Sequence, residues 1–503
     1  MTQLDTNLAV FAGAGTGKTH ALMTMCLHLL AGIRAGRLTD PLPASQLTLL
    51  TFTDKAAAQL RARLRERVHR LCEGDADEPD LRDSFEALGH PMPGTAHWKA
   101  VRSQLANADI GTFHALCLKL LKGAPAGRGV SPAVEVLDER ASDELLRGTV
   151  EKWVIAGLER REVWLGDLVR GLEYPGVVEG LLEVYRKARE DGVPFEEIAV
   201  GDAEASRCEF ESRRVALRND LIAERAVLKP ATKTAKGEQR FSSFFDDAVG
   251  VLENSSLETF CDQAAPLVDV LKGTVIAGIR VRLEALGAVA MAAQLAPYEA
   301  HLRDALTHVG NAYQRALQQR QAIDFTDIMV KCRDLLRDDT PFREAAQRDI
   351  GTLLVDEFQD TNRVQLEVVR LLAAKRDGAG SKSDTLEPSF LAVVGDRKQA
   401  IYDFRGADVA VFETMAQAIE TQNGRRVFLK TSRRASPNLV TVFNEMFPSL
   451  LGPIDAPRGY DVVYQAEHDD MLAHRKQQLQ TPAVVRLNSV KVCLLYTSPS
   501  PRD

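Results

Sequence analysis

Leu8-Ala9-Val10-Phe11-Ala12-Gly13-Ala14-Gly15-Thr16-Gly17-Lys18-Thr19 decides how the rest of this chain is read. An apolar run suited to a buried strand breaks into glycines, then into Lys-Thr and a helix-forming segment. That is the layout of a phosphate-binding loop, with Ala12 standing where the strict pattern has its first glycine. The glycines let successive backbone N–H groups converge on phosphate oxygens. Lys18 can reach the β- and γ-phosphates, and the Thr19 hydroxyl is placed for Mg²⁺. Ala12, Gly13, Ala14, Gly15, Thr16, Gly17, Lys18 and Thr19 are therefore the expected cradle of a nucleoside triphosphate. The loop does not say what the triphosphate drives.

The 503 residues exceed one simple core and suggest roughly three domains or lobes. A net charge of −7 argues against a generally basic nucleic-acid coat, so any such site must be a local groove of Lys and Arg. The cysteines (Cys26, Cys72, Cys117, Cys208, Cys261, Cys332, Cys493) are scattered, with no C-x-x-C pair and no paired Cys/His spacing. They read as reduced thiols, not as a disulfide frame or metal site. No apolar run approaches membrane-spanning length, and no basic stretch followed by an apolar core opens the chain. A cytoplasmic protein without a membrane partner is expected.

Outward from the loop, Ala21 to Ala31 is helix-forming, Gly32 to Pro43 is turn-rich, and Leu47 to Thr53 reads as a second buried strand. Asp54 to Leu64, rich in Ala and Arg, predicts a helix. Gly74 to Pro93, acidic and turn-rich, looks like a surface insertion. Ala108 to His114 is a third strand-to-loop transition, followed by helical Ala115 to Leu121. Strands alternating with helices imply a parallel, doubly wound α/β sheet, whose ligands gather at the carboxyl ends of the strands. Thr19, Phe52, Thr53, Thr112 and His114 all fall just past such ends and could share one face. From about Lys122 to Gln321 helical patterns dominate, predicting an inserted helical domain. Within it, Arg213 to Arg240 holds eight Lys/Arg against three Asp/Glu, compatible with a solvated helix and loop or with a phosphate-contacting surface. Strands resume at Thr352 to Val355, Ser389 to Val394 and Arg426 to Leu429, and Gly378 to Pro388 reads as a surface loop.

The strand at Thr352 to Val355 ends in Asp356-Glu357, which is what triphosphate hydrolysis needs. Asp356 would hold Mg²⁺ opposite Thr19, and Glu357 would polarise the attacking water.

These residues resemble a known family. Asp356-Glu357-Phe358-Gln359-Asp360-Thr361 is similar to the second motif of superfamily 1A DNA helicases of the UvrD/Rep and RecB/AddA kind, and Ala12 to Thr19 to the first. Thr51 to Ala57, Gly111-Thr112-Phe113-His114, Ile323-Asp324-Phe325-Thr326-Asp327, Val394 to Asp408 and Leu429 to Asn444 resemble further motifs in the family's order. The resemblance implies a RecA-like P-loop motor domain 1A over 1–121 and 322–424, with a helical domain 1B inserted over 122–321. A second RecA-like domain 2A begins over 425–492. It further implies an ATP- and Mg²⁺-dependent motor moving 3′ to 5′ on single-stranded DNA in repair or recombination. Gln399 would sense the γ-phosphate and Arg434 would act on it as an arginine finger. Phe52 and Phe404 would be platforms for unstacked bases, and Thr112 and His114 would approach the DNA backbone. Thr53, Tyr402 and Arg405 complete the DNA-facing set. Implied partners are single-stranded DNA, single-/double-strand junctions and the other subunits of a helicase–nuclease, in the bacterial cytosol at the nucleoid.

The departures are specific. Asp54 stands where Asn is usual, and Met25 stands where the family has an Arg packed on adenine. Arg433 replaces a base-stacking aromatic, although a planar guanidinium can also stack. The adenine-reading glutamine has no match better than Gln3. Two further motifs of the second motor domain are missing, and 493–503 resembles the translation of a sequencing adapter. The expectation is an N-terminal fragment that binds nucleotide without unwinding DNA by itself. The insertion of about 200 residues leans toward the RecB/AddA kind. Alternatives are a UvrD/Rep-type helicase without nuclease and a nucleotide-responsive DNA-binding module; the motif set disfavours a metabolic P-loop kinase.

Overall fold

The computed structural model describes residues 4–34, 36–74, 78–125, 127–227, 235–270, 277–376, 385–400, 409–451 and 463–476. Six strands form one sheet: β1 (Leu8–Ala12), β2 (Leu47–Thr51), β3 (Asp109–Thr112), β4 (Thr352–Val355), β5 (Leu391–Gly395) and β6 (Arg425–Leu429). Their order is β6-β1-β5-β4-β2-β3, and every pairing is parallel. The apolar runs are nearly continuous because both faces are covered. Along β1, Ala9 faces one core while Leu8, Val10 and Ala12 face the other. In β5, Val393 and Val394 divide in the same way. Helices α1 (Lys18–Leu30) and α2 (Asp54–Glu73) pack on one face. On the other lie α3 (Phe113–Gly123), α4 (Phe325–Asp338), α5 (Arg363–Ala373) and α6 (Val409–Thr421). The parallel α/β sheet expected from the sequence is present.

The chain divides into two units. One holds the sheet and comprises the described residues of Met1–Asp138, Glu190–Gly192 and Gln321–Asp503; the other comprises those of Glu139–Arg189 and Val193–Arg320. On the sheet-bearing unit the outgoing segment Glu135–Val136 pairs in parallel with the returning Ala322–Ile323, so the insertion leaves and re-enters side by side. The second unit is helical, with Phe210, Phe245, Phe260, Leu252 and Leu283 at its centre. The helix Val163–Glu190, which belongs to this unit up to Arg189, breaks at Glu173 (φ 58°, ψ 162°), two residues before Pro175, which has no N–H to continue the ladder. Among the described residues no helix is long and apolar enough to cross a membrane.

Three expectations change. Gly74 to Pro93 is not only a surface insertion: Pro79–Ala87 is a helix burying Leu81 and Phe85. Proline pre-sets the first helical turn, and the two apolar residues four apart share its inner face. The turn-rich Gly32 to Pro43 contains a short hairpin, Ile33–Arg34 with Arg37–Leu38. Arg425–Leu429, assigned from sequence to the start of a second motor domain, hydrogen-bonds to β1 in register Leu8 to Arg425 and so extends the first sheet. Of Gly378 to Pro388, residues 378–384 lie outside the described set, and Leu386 bridges to Ala374.

The start of β1 is pinned by buried Asn7. Its Oδ1 accepts from the N–H groups of Phe390 and Leu391 at 2.9 Å each, and its Nδ2 donates to the Glu387 carbonyl at 3.0 Å. Asn7→Ala strands two buried N–H groups. It should lower unfolding stability by about 2–4 kcal/mol in chemical denaturation, whereas an unchanged midpoint would mean that the β1–β5 junction is held elsewhere.

Candidate functional site

Because the strands are parallel, β1, β2, β3, β4 and β5 all end on one edge, and the sequence-predicted residues collect there. After Ala12 the chain turns through Gly13 to Gly17. Thr16 closes this turn through its Oγ1, which donates to the Gly13 carbonyl at 2.8 Å. Gly15 (φ +76°) and Gly17 (φ +96°) occupy the left-handed region that glycine enters at little cost. Gly17 is the N-cap of α1, Lys18 is its first residue, and Thr19 follows on the same turn.

Lys18 Nζ lies 2.7 Å from Glu357 Oε2, joining the loop to the end of β4 across the intervening β5. Glu357 itself is left-handed (φ 51°, ψ 45°), a strained backbone for a non-glycine residue and one that over-determined sites retain. Asp356 is buried, and its carboxyl is pushed up to about 6, first by burial and then by neighbouring Glu357, against the pull of Lys18. Asp360, also buried, is raised to about 6 by the same two causes, and its Oδ1 has no hydrogen-bond partner.

The predicted arginines meet the loop directly. The Arg433 N–H donates to the Gly15 carbonyl at 2.9 Å. A Cβ on Gly15 would sit 2.7 Å from Arg434 Cβ, so only glycine admits this approach. Both arginine side chains are exposed. Gln399 Nε2 donates to buried Asp396 Oδ2 at 2.7 Å. Met25, expected in place of an adenine-packing arginine, is instead fully inside the core beneath α1.

The DNA-facing candidates are placed less uniformly. Thr53 caps α2 by accepting from the Ala56 N–H at 3.1 Å, and Thr112 caps α3 by accepting from the Ala115 N–H at 3.3 Å. Phe52 is half-buried just past β2. His114 meets Phe325 edge-on, ring centroids 5.3 Å apart, and its pKa is lowered by burial although Asp54 opposes this. Tyr402, Phe404 and Arg405 lie outside the described residues. Of the basic stretch Arg213 to Arg240, only residues up to Arg225 have described side chains; Arg214, Arg218 and Arg225 pair with Glu211, Glu253 and Asp246, which fits a solvated helix there.

Sequence reasoning assigned no role to Phe325, Gln359 or Asp396. Phe325 is 46 % exposed, a large aromatic left on the surface at the first turn of α4. Its signal was its place in the Ile323 to Asp327 motif. Gln359 and Asp396 lie in the Asp356 to Thr361 and Val394 to Asp408 motifs, but the hydrogen bond that joins them crosses from one strand end to the next and leaves no mark in the sequence.

The donor set suits Mg²⁺. Asp356 and the Thr19 hydroxyl are hard oxygen donors, and a cation beside Asp356 would relieve the penalty on its charge. Among the described residues no group of three or more His, Cys, Asp or Glu could hold a metal by itself. Mg²⁺ does not require one, because it keeps waters and takes oxygens from substrate phosphates.

Comparison with known proteins agrees with this geometry. Residues 1–420 match the UvrD/REP helicase N-terminal domain. Similar relatives are three proteins, each named as a subunit of an ATP-dependent helicase/nuclease. That of Desulforudis audaxviator is 26% identical, over 91% of this chain and 40% of its own length. That of Bacillus velezensis is 25% identical over 89% and 38%, and that of Listeria monocytogenes 24% identical over 90% and 39%. The chain thus spans about two-fifths of the length of these curated relatives.

The raised Asp360 carboxyl also bears on stability. Its folded pKa lies above the ordinary value of 3.8, so the native state keeps a proton that the unfolded chain releases between about pH 4 and 6. The group's contribution therefore falls as pH rises through that window. Asp360→Asn should melt a few degrees above the parent at pH 8 and lose that advantage near pH 4; equal melting at pH 8 would contradict a penalised charge.

Proposed function

This chain belongs to the UvrD/REP helicase family, and we propose that it supplies the ATP-handling part of a DNA helicase moving 3′ to 5′ along single-stranded DNA in repair or recombination. The observation that carries the reading is Lys18 on Glu357, with Asp356 beside it and Arg434 against Gly15.

A triphosphate entering the loop meets the backbone N–H groups of Gly13 to Lys18 and competes with Glu357 for the Lys18 ammonium. Once Lys18 turns to phosphate, Glu357 is free to take a proton from the water whose oxygen attacks the γ-phosphorus, as the bond to the β–γ bridging oxygen breaks and ADP leaves. Arg434 supplies positive charge where negative charge develops, and Gln399 reports on the γ-phosphate. Mg²⁺ held at Thr19 and Asp356 would neutralise phosphate charge. Arg433 could stack on the base through its guanidinium. On the DNA side, Phe52, Phe325 and Phe404 are platforms for stacking, worth about 1–3 kcal/mol per base and indifferent to sequence. Thr53, Thr112, Tyr402 and Arg405 complete that surface. The lowered pKa of His114 makes it a neutral hydrogen-bonding contact to the backbone, not a cationic one.

The large helical unit and the names of the relatives favour one refinement, a subunit of a helicase–nuclease. Such a protein would work with partner subunits at single-/double-strand junctions in the bacterial cytosol, associated with the nucleoid.

The test is steady-state ATP hydrolysis with and without single-stranded DNA. Stimulation of about tenfold or more is expected. Glu357→Gln should bind Mg·ATP as the parent does while turnover falls at least about 100-fold. Normal hydrolysis by this variant would sink the catalytic assignment. A parent that binds DNA and nucleotide but never turns over would be a nucleotide-responsive DNA-binding module.

A further inference from the structure

Gln359 is 2 % exposed, and its whole amide is engaged. Its Nε2 donates to Glu357 Oε2 at 2.9 Å and to Asp360 Oδ2 at 3.2 Å, and its Oε1 accepts from the Asp396 N–H at 2.9 Å. Carboxylates only accept and the backbone N–H only donates, so the amide can face just one way. Asp396, 4 % exposed, in turn accepts from Gln399 Nε2 at 2.7 Å and from the Lys398 N–H at 3.1 Å. Three hydrogen bonds thus run from Glu357 through Gln359 and Asp396 to Gln399. The two groups assigned to water activation and to the γ-phosphate are joined by a buried link across adjacent strands.

The surroundings favour a fixed link. Gln359 lies in the 3₁₀ turn Phe358–Asp360 after β4, and Gln399 in the 3₁₀ turn Arg397–Gln399 after β5. At Gly395 a Cβ would sit 2.6 Å from Gln359 Oε1 and 3.2 Å from its backbone N, so glycine there lets the amide reach the next strand. Among the described residues, Lys18 is the other hydrogen-bonding partner of Glu357 Oε2. When phosphate draws Lys18 away, the Gln359 amide is the group that still orients that carboxylate.

We propose that Gln359 is a positioning residue for ATP hydrolysis, holding Glu357 in its water-activating orientation and tying that orientation to Gln399. The proposal rests on the ATPase reading above. A strand-end staple would need only the contact to Asp396; the second end of the amide, aimed at Glu357, gives this residue a role in turnover.

The experiment measures ATP hydrolysis with single-stranded DNA and binding of a fluorescent ADP analogue, for the parent and for Gln359→Met. Methionine keeps the length and volume but offers no N–H donor. The expected result is a kcat reduced about 10- to 100-fold, with KM for ATP and ADP-analogue affinity within about threefold of the parent. Added to Glu357→Gln, the same change should slow turnover no further, since both act through one carboxylate. Gly395→Ala, which pushes on Gln359 Oε1 and leaves its side chain intact, should give the same selective loss of kcat, and it decides the question if the methionine variant does not fold. Unchanged kcat, a loss of ADP affinity in step with kcat, or full additivity with Glu357→Gln would each overturn the proposal. A parent that neither binds nor hydrolyses ATP would overturn the ATPase reading first, visibly and before any variant is made.

Discussion

Lys18 against Glu357 is the contact on which the site depends. It links a loop after the first strand to a strand end more than three hundred residues later in the chain, at 2.7 Å. Only a parallel sheet brings both to one edge. The register of β1 on β5 and of β5 on β4 then sets which residue emerges beside which. The helical insertion leaves and returns through paired segments and so does not disturb that register. Charge placement follows from the same edge. Three carboxylates, Asp356, Glu357 and Asp360, crowd around one lysine, and burial raises two of them. The cluster carries more negative charge than its protein partners neutralise, as a site for a cation and a phosphate-seeking lysine should.

Much of this was legible in the sequence because it rests on local pattern. Val10 and Val355 sit in apolar runs that end abruptly in glycine or acid, and a run bounded in that way marks a strand end. The phosphate loop and the Asp-Glu pair are defined by residue type at fixed spacing. The helix over Pro79–Ala87 was hidden because its acidic and turn-forming residues outnumber the two apolar ones that anchor it. Edge placement of β6 was hidden for a different reason. Arg425 to Leu429 reads as a strand whichever sheet it joins, and only its pairing with β1 decides.

Polar contacts between strands were least legible. Asp396 follows Gly395 at a strand end, and nothing in its neighbours reveals that its N–H meets Gln359. Met25 shows the converse: the family resemblance marks it as an altered adenine contact, yet in the fold it is core beneath α1. The arginine lost from that position therefore leaves no substitute there. Arg433 has its N–H tied to the Gly15 carbonyl while its side chain stays exposed.

The central claim is that the Gly13 to Lys18 loop and the Asp356-Glu357 strand end form one triphosphate site. The most direct measurement is Mg²⁺-dependent binding of a fluorescent ATP analogue to the parent chain and to Lys18→Ala. The account predicts saturable binding to the parent that weakens at least about tenfold in the variant, since a charge-assisted phosphate contact is worth about 1.5–3 kcal/mol. Equal affinity in the two proteins would contradict it.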